Sequence, residues 1–142
     1  LIWQTGKPNA ELYAQSAHSY DNVFVHSFID NMSAAYVAAD IVISRSGAMA
    51  VSEICITGKP AVFVPYPLAA EDHQTFNAMT LVNNNAAAIV KDKEVGNDLI
   101  PSVLQLLGNE QQMQTMQNNI KAFAFSNADE IIAKEILKQI NE

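Results

Sequence analysis

Short apolar runs alternate with amphipathic stretches through the first two thirds of the chain, and this alternation constrains the fold more than any other feature. The runs at 1–4, 22–26, 40–44, 61–64 and 86–90 read as strands, and the stretches at 8–18, 30–38, 47–57 and 73–84 read as helices. Such a pattern predicts parallel strands joined by crossover helices, an α/β Rossmann-like sheet flanked by helices. Gly58-Lys59-Pro60 ends one helix with a glycine past its last turn and a proline that bars continuation. After Lys91-Asp92-Lys93-Glu94-Val95-Gly96 come three helical segments at about 96–107, 109–124 and 128–140. Leu104, Leu107, Met113, Met116, Ile120, Phe123, Ile132, Ile136 and Ile140 recur at helical spacing there and are expected in the core. Leu1-Ile2-Trp3-Gln4 reads as a buried strand with nothing before it, so the start is expected to be a boundary inside a longer protein.

A chain of 142 residues with 49% hydrophobic content is long enough for one compact domain, expected to span 1–142. The net charge of -7 argues against a nucleic-acid surface and against direct electrostatic docking to a membrane. Cys55, the only cysteine, can form neither an internal disulfide nor a zinc site, and reads as a buried thiol. No apolar run approaches the roughly 20 residues of a membrane span and no signal peptide precedes the first strand, so a cytoplasmic piece is expected.

The most informative stretch is Ser44-Arg45-Ser46-Gly47-Ala48-Met49-Ala50-Val51-Ser52-Glu53, directly after the apolar run 39–43. Ser46 or Gly47 opens a helix here. The first amides of such a helix have no internal partner and carry the positive end of its dipole, which suits phosphate oxygens. Glu53 sits about 10 Å further along, at 1.5 Å of rise per residue, within a nucleotide's reach of a ribose diol. The alternative for the same residues is a capped core helix. The next strand, Ala61-Val62-Phe63-Val64, leads through Pro65-Tyr66-Pro67 to Asp72-His73-Gln74-Thr75-Phe76-Asn77, where Gln74 and Asn77 share a helix face. Two consecutive strand ends thus present polar groups on the carboxyl edge, where open parallel sheets bind ligands.

These blocks, together with Gly58-Lys59-Pro60-Ala61 and the upstream Ile2-Trp3-Gln4-Thr5-Gly6-Lys7, Phe28-Ile29-Asp30-Asn31-Met32 and Ala34-Ala35-Tyr36, are similar in residues and order to a known family. Over roughly residues 1–93 the chain resembles the carboxyl-terminal half of the MurG-like peptidoglycan N-acetylglucosaminyltransferases of glycosyltransferase family 28. The resemblance implies the donor-binding half of a GT-B enzyme, in which two Rossmann-like domains face each other across a cleft. The donor implied is UDP-N-acetylglucosamine. The acceptor implied is undecaprenyl-diphosphate-linked muramoyl pentapeptide, lipid I, and the product is lipid II, formed with inversion and with no cofactor or metal required. The acceptor is implied to bind an amino-terminal domain that, with the proposed base and an upstream glycine-rich loop, is not in this chain. No catalytic residue is therefore expected here, and the full-length parent is expected to be peripheral on the cytoplasmic face of the bacterial inner membrane. Another family 28 transferase with a different lipid acceptor, and a non-catalytic nucleotide-sugar-binding subunit, are the alternatives.

Carried over by position, the resemblance implies that the main chain of Ile29 pairs with the uracil edge and that Ser46, Gly47, Ala48, Met49 and Ala50 wrap the diphosphate and ribose. It implies further that Glu53 accepts from both ribose hydroxyls and that Gln74 and Asn77 hydrogen-bond the sugar ring. An ionised Glu is acceptor-only and suits a vicinal diol, whereas amides suit a neutral sugar. Met49 and Ala50 replace the family's usual Leu and Thr, which removes a hydroxyl. Arg45 either offsets diphosphate charge or ties strand to loop by an ion pair. His73 either touches the sugar or is a bystander. His18 and His26 read as structural, and Glu71-Asp72 as acids serving the first turn of the following helix.

Overall fold

A computed structural model describes residues 1–140, so the last two positions of the expected 1–142 domain lie outside the described residues. Every element expected from the sequence is present, with ends shifted by two residues or fewer except in the helix expected at 109–124, which ends at Ile120 and passes into a 3-10 turn at Lys121–Phe123. The chain divides into two compact units, Leu1–Ala39 and the chain from Asp40 onward, each with its own parallel sheet.

The first unit holds strand β1 (Ile2–Gln4), helix α1 (Ala10–Ala17), strand β2 (Phe24–His26) and helix α2 (Met32–Ala38). β1 and β2 run parallel, with Ile2 opposite Phe24 and Gln4 opposite His26. The turn out of β1 needs Gly6, whose φ of 75° lies in the left-handed region that a Cβ disfavours. Asn31 caps α2, its side chain accepting from the Ala34 amide at 3.0 Å. Trp3 packs its ring on Tyr13 of α1, 4.7 Å between centroids. The expected burial of the first strand does not hold: Leu1, Ile2 and Trp3 are exposed, and of the apolar side chains in this unit only Ala17 and Tyr36 are buried. Two strands and two short helices provide too little surface to cover both faces of a sheet.

The second unit begins with strand β3 (Val42–Ser44), helix α3 (Ala48–Thr57), strand β4 (Ala61–Phe63), helix α4 (His73–Val82) and strand β5 (Ala88–Ile89). Its sheet has the order β3-β4-β5, all parallel, with Ser44 opposite Phe63 and Phe63 opposite Ile89. β4 is the central strand and is wholly buried. This is why its sequence is a continuous apolar run rather than an alternating one. Gly58 ends α3 with φ 66°, its amide donating back to Ile54 and Cys55. A Cβ there would come within 2.6 Å of Lys121 Cε, a contact the flexible lysine chain can relieve, so it is the conformation that demands glycine.

Helices α5 (Val95–Leu107), α6 (Glu110–Ile120) and α7 (Ala128–Ile140) follow. α5 buries Val95, Leu99, Val103 and Leu106 against Val62, Val64 and Val90 of the sheet side, with Met113 and Met116 of α6 closing the same core. Asn119 of α6 donates to the carbonyls of Asn84 and Asn85, tying α6 to the turn after α4. The expectation for the late apolar residues is half right. Met116 and Ile120 are buried and Met113 and Phe123 half-buried, but Leu104, Leu107, Ile132, Ile136 and Ile140 are exposed. In α5 the buried stripe runs through Val103 and Leu106, which turns Leu104 and Leu107 outward. α7 buries none of its residues. Among the described residues no helix is long and apolar enough to cross a membrane.

Candidate functional site

β3 and β4 both end at the carboxyl edge of the second sheet, and the residues just past their ends form one hydrogen-bonded cluster. Arg45 follows β3 directly. Its Nη1 donates to the carbonyls of Val64 and Pro65, each at 3.1 Å, and to Asp92 Oδ1 at 2.6 Å. Two hydrogens thus serve three acceptors, which leaves Nε and Nη2 outside this set. The guanidinium also lies over the Tyr66 ring, 5.7 Å from its centroid. Of the two roles open to Arg45 in the sequence, the geometry displays the tie from strand to loop.

Ser46 is fully buried, and its hydroxyl donates to the Gln74 carbonyl at 2.8 Å. It therefore does not cap α3. Gly47 occupies the N-cap in an extended conformation with no side-chain hydrogen bond, so the helix opens at the second of the two positions the sequence offers. The amides of Ala48, Met49 and Ala50, in the first turn, have no partner within the helix. Met49 is strongly exposed and Glu53 lies on the exposed side of the same helix.

Gln74 and Asn77 are brought together as the sequence predicts, facing the Ser46-Gly47 turn. Asn77 Nδ2 donates to the Ser46 carbonyl at 3.0 Å, and Gln74 Oε1 accepts from the Tyr66 amide at 2.9 Å. Both assignments follow from chemistry, because a carbonyl accepts only and a peptide N–H donates only. Gln74 therefore offers Nε2 as a donor and Asn77 offers Oδ1 as an acceptor. Nε2 lies 3.9 Å from where a Cβ on Gly47 would stand, directly over the start of α3.

His73 holds its Nδ1 2.8 Å from the Ala70 carbonyl, so Nδ1 is the donor in this contact and Nε2 stands outside it. Glu71 and Asp72 adopt left-handed φ values of 52° and 53°, and Asp72, at the N-cap of α4, accepts from the Thr75 hydroxyl at 2.7 Å but caps no helix amide with its side chain. Ile29, in the first unit, donates its amide to Gln4 Oε1 at 2.8 Å, so one of its two main-chain groups is already engaged. Burial pushes the Cys55 thiol up, away from the reactive thiolate. The surface hollows bounded by Glu94, Asp98 and Ser102 and by Asn85, Gln112 and Thr115 include none of the predicted residues.

Sequence reasoning missed Asp92 and the Tyr66 amide. The usable signal is topological: in a parallel sheet the residues just past the strands meet on one edge, and Arg45 and Val64 directly follow β3 and β4 while Asp92 stands three residues past β5.

Residues 1–132 match the glycosyltransferase family 28 C-terminal domain. Among curated proteins, the UDP-N-acetylglucosamine--N-acetylmuramyl-(pentapeptide) pyrophosphoryl-undecaprenol N-acetylglucosamine transferase of Bacteroides fragilis is 45% identical over 141 residues, covering 97% of this chain and 37% of that protein. The protein of the same name from Flavobacterium psychrophilum is 43% identical over 140 residues, covering 99% of this chain and 38% of its own length. The crystal structure of Acinetobacter baumannii MurG superposes with a TM-score of 0.85 at 32% identity, covering 96% of this chain and 42% of that one. The glycosyltransferase VinC, in complex with DTDP, shares the fold alone, with a TM-score of 0.68 at 17% identity over 85% of this chain and 29% of its own. The chain thus spans less than two fifths of the length of these curated relatives.

Proposed function

The chain belongs to the glycosyltransferase family 28 C-terminal domain family, with the α/β fold of a GT-B carboxyl-terminal domain, and from that premise we propose that it is the donor-binding half of an inverting N-acetylglucosaminyltransferase. Its donor is UDP-N-acetylglucosamine. The acceptor is the undecaprenyl-diphosphate-linked muramoyl pentapeptide, met by the portion of the enzyme that lies outside this chain. That reading places the work on the cytoplasmic face of the membrane, with the full enzyme peripheral to it. It requires neither cofactor nor metal from this half.

The observation that carries the proposal is the polar cluster of Ser46, Gln74 and Asn77 at the opening of α3. The first-turn amides there point their positive dipole end outward and suit the diphosphate, so Gly47, Ala48, Met49 and Ala50 act through their main chain. Ser46 acts through its carbonyl and hydroxyl as the brace beneath them. Glu53, further along α3, accepts from the ribose diol. The Gln74 amide donates to one sugar hydroxyl and the Asn77 carbonyl accepts from another, while His73 Nε2 borders the same face. Ile29 in the first unit takes the uracil edge. This half orients the donor and stabilises the departing diphosphate, and the proton transfer from the acceptor belongs to the other half.

Calorimetry of the 142-residue chain tests the reading. Weak, saturable binding of UDP and UDP-N-acetylglucosamine is expected, with no glycosyl transfer by the chain alone. Equal binding of ADP and UDP would overturn the uracil assignment, and clear turnover would overturn the half-enzyme reading.

A further inference from the structure

We infer that Asp92 is a positioning residue that decides which end of the Gln74 amide faces the donor sugar. The inference rests on the proposed reading of Gln74 as a sugar contact. The chain of contacts is continuous. Asp92 Oδ1 holds Arg45 Nη1 at 2.6 Å, and the same nitrogen grips the carbonyls of Val64 and Pro65. The next residue, Tyr66, carries the amide that Gln74 Oε1 accepts from, and its ring lies under the guanidinium. The Gln74 carbonyl in turn receives the buried Ser46 hydroxyl. The main-chain and side-chain groups of Gln74 are thereby fixed from two sides, and Nε2 is left over Gly47.

A glutamine amide rotates freely between two nearly isosteric states, one presenting a donor and the other an acceptor. With the Tyr66 amide in place, the donor faces the ligand. If the 65–66 turn relaxes, that constraint is lost and the amide samples both states, so the contact with a sugar hydroxyl weakens. Asp92 touches neither sugar nor phosphate in this scheme. Its pair with Arg45 is also half open to solvent, with side-chain exposures of 49% and 37%, and a pair so placed adds little to global stability. What it supplies is the location of one guanidinium nitrogen, where three chain segments meet.

The test uses the full-length protein and measures the affinity ratio of UDP-N-acetylglucosamine to UDP, which isolates the sugar contribution. Asp92→Ala is expected to lower that ratio about threefold to tenfold, the worth of one neutral hydrogen bond, with UDP affinity and Tm nearly unchanged. Asp92→Asn, which keeps an acceptor oxygen at the same reach, should restore most of the ratio. In a Gln74→Ala background Asp92→Ala should have no further effect, whereas additive losses would overturn the inference. An unchanged ratio in Asp92→Ala, or equal losses for both ligands, would overturn it too. Hydrogen exchange of the ligand-free protein provides a readout independent of the donor: the Tyr66 amide should exchange faster in Asp92→Ala. Faster exchange in a protein that binds no uridine nucleotide would remove the proposed function and leave the positioning role standing, while unchanged exchange would remove the role itself.

Discussion

The two units of the chain follow the same sequence grammar and come out differently buried. In the second, β4 has a strand on each side, and every side chain of Ala61–Phe63 is fully buried. In the first, β1 and β2 pair with each other alone, and Ile2, Trp3 and Phe24 are exposed. Alternation of apolar runs with amphipathic stretches specifies strand and helix in each, because the side-chain period is local. Burial is not local. It depends on how many neighbouring layers a sheet acquires, and a unit of roughly 40 residues with two strands acquires few.

The sharpest way to break this comparison is to truncate one aromatic in each sheet. Phe63→Ala removes a fully buried side chain from the central strand, and the lost transfer energy plus the cavity should cost about 3–5 kcal/mol of unfolding free energy in urea titrations. Phe24→Ala, on an exposed edge of the first sheet, should cost no more than about 0.5 kcal/mol. Comparable losses would show that the first sheet is covered in solution.

The same contrast explains what was legible in the residues. Gly58-Lys59-Pro60 marked a helix end because a left-handed φ and a missing N–H are read locally, and α3 does end there. Gln74 and Asn77 could be paired because three residues is one helical turn, and both do reach the Ser46-Gly47 segment. The partner of Arg45 could not be read, since Asp92 lies on a different strand end and only the sheet order brings them together. Leu104 and Leu107 fit a helical stripe as well as Val103 and Leu106 do, and only the position of the sheet beneath α5 selects between the two faces. The partner of the Ser46 hydroxyl is unreadable for a similar reason. A serine before a helix ordinarily caps it, yet here a carbonyl from α4 competes and wins.

Within the second unit the comparison sharpens further between buried and exposed positions of one helix. Cys55 and Ile54 of α3 are buried, while the adjacent Glu53 is exposed. Glu53→Ala in the full-length protein should therefore separate binding from stability. Loss of charge-assisted bonds, each worth about 1.5–3 kcal/mol, should lower donor affinity or turnover at least about tenfold with Tm nearly unchanged. A sharp drop in Tm with donor KM unaffected would make the carboxylate a structural partner and remove it from the ribose site.

The smallest expected effect lies in the first unit, where exposure leaves a side chain able to occupy a ligand's place. The Ile29 amide donates to Gln4 Oε1 at 2.8 Å, and Gln4 is itself exposed. An amide oxygen and a uracil carbonyl oxygen are the same kind of acceptor, so a base that pairs with the Ile29 amide must first displace the Gln4 side chain. Exchanging one neutral hydrogen bond for another changes free energy by about 1 kcal/mol or less. Gln4→Ala removes the competitor, and UDP affinity of the full-length protein should rise by up to about threefold while ADP affinity stays where it was. Unchanged UDP affinity would mean that the base does not use the Ile29 amide. A fall specific to UDP would mean that Gln4 holds the base directly, and the exposed edge of the first unit would then be a binding surface in its own right.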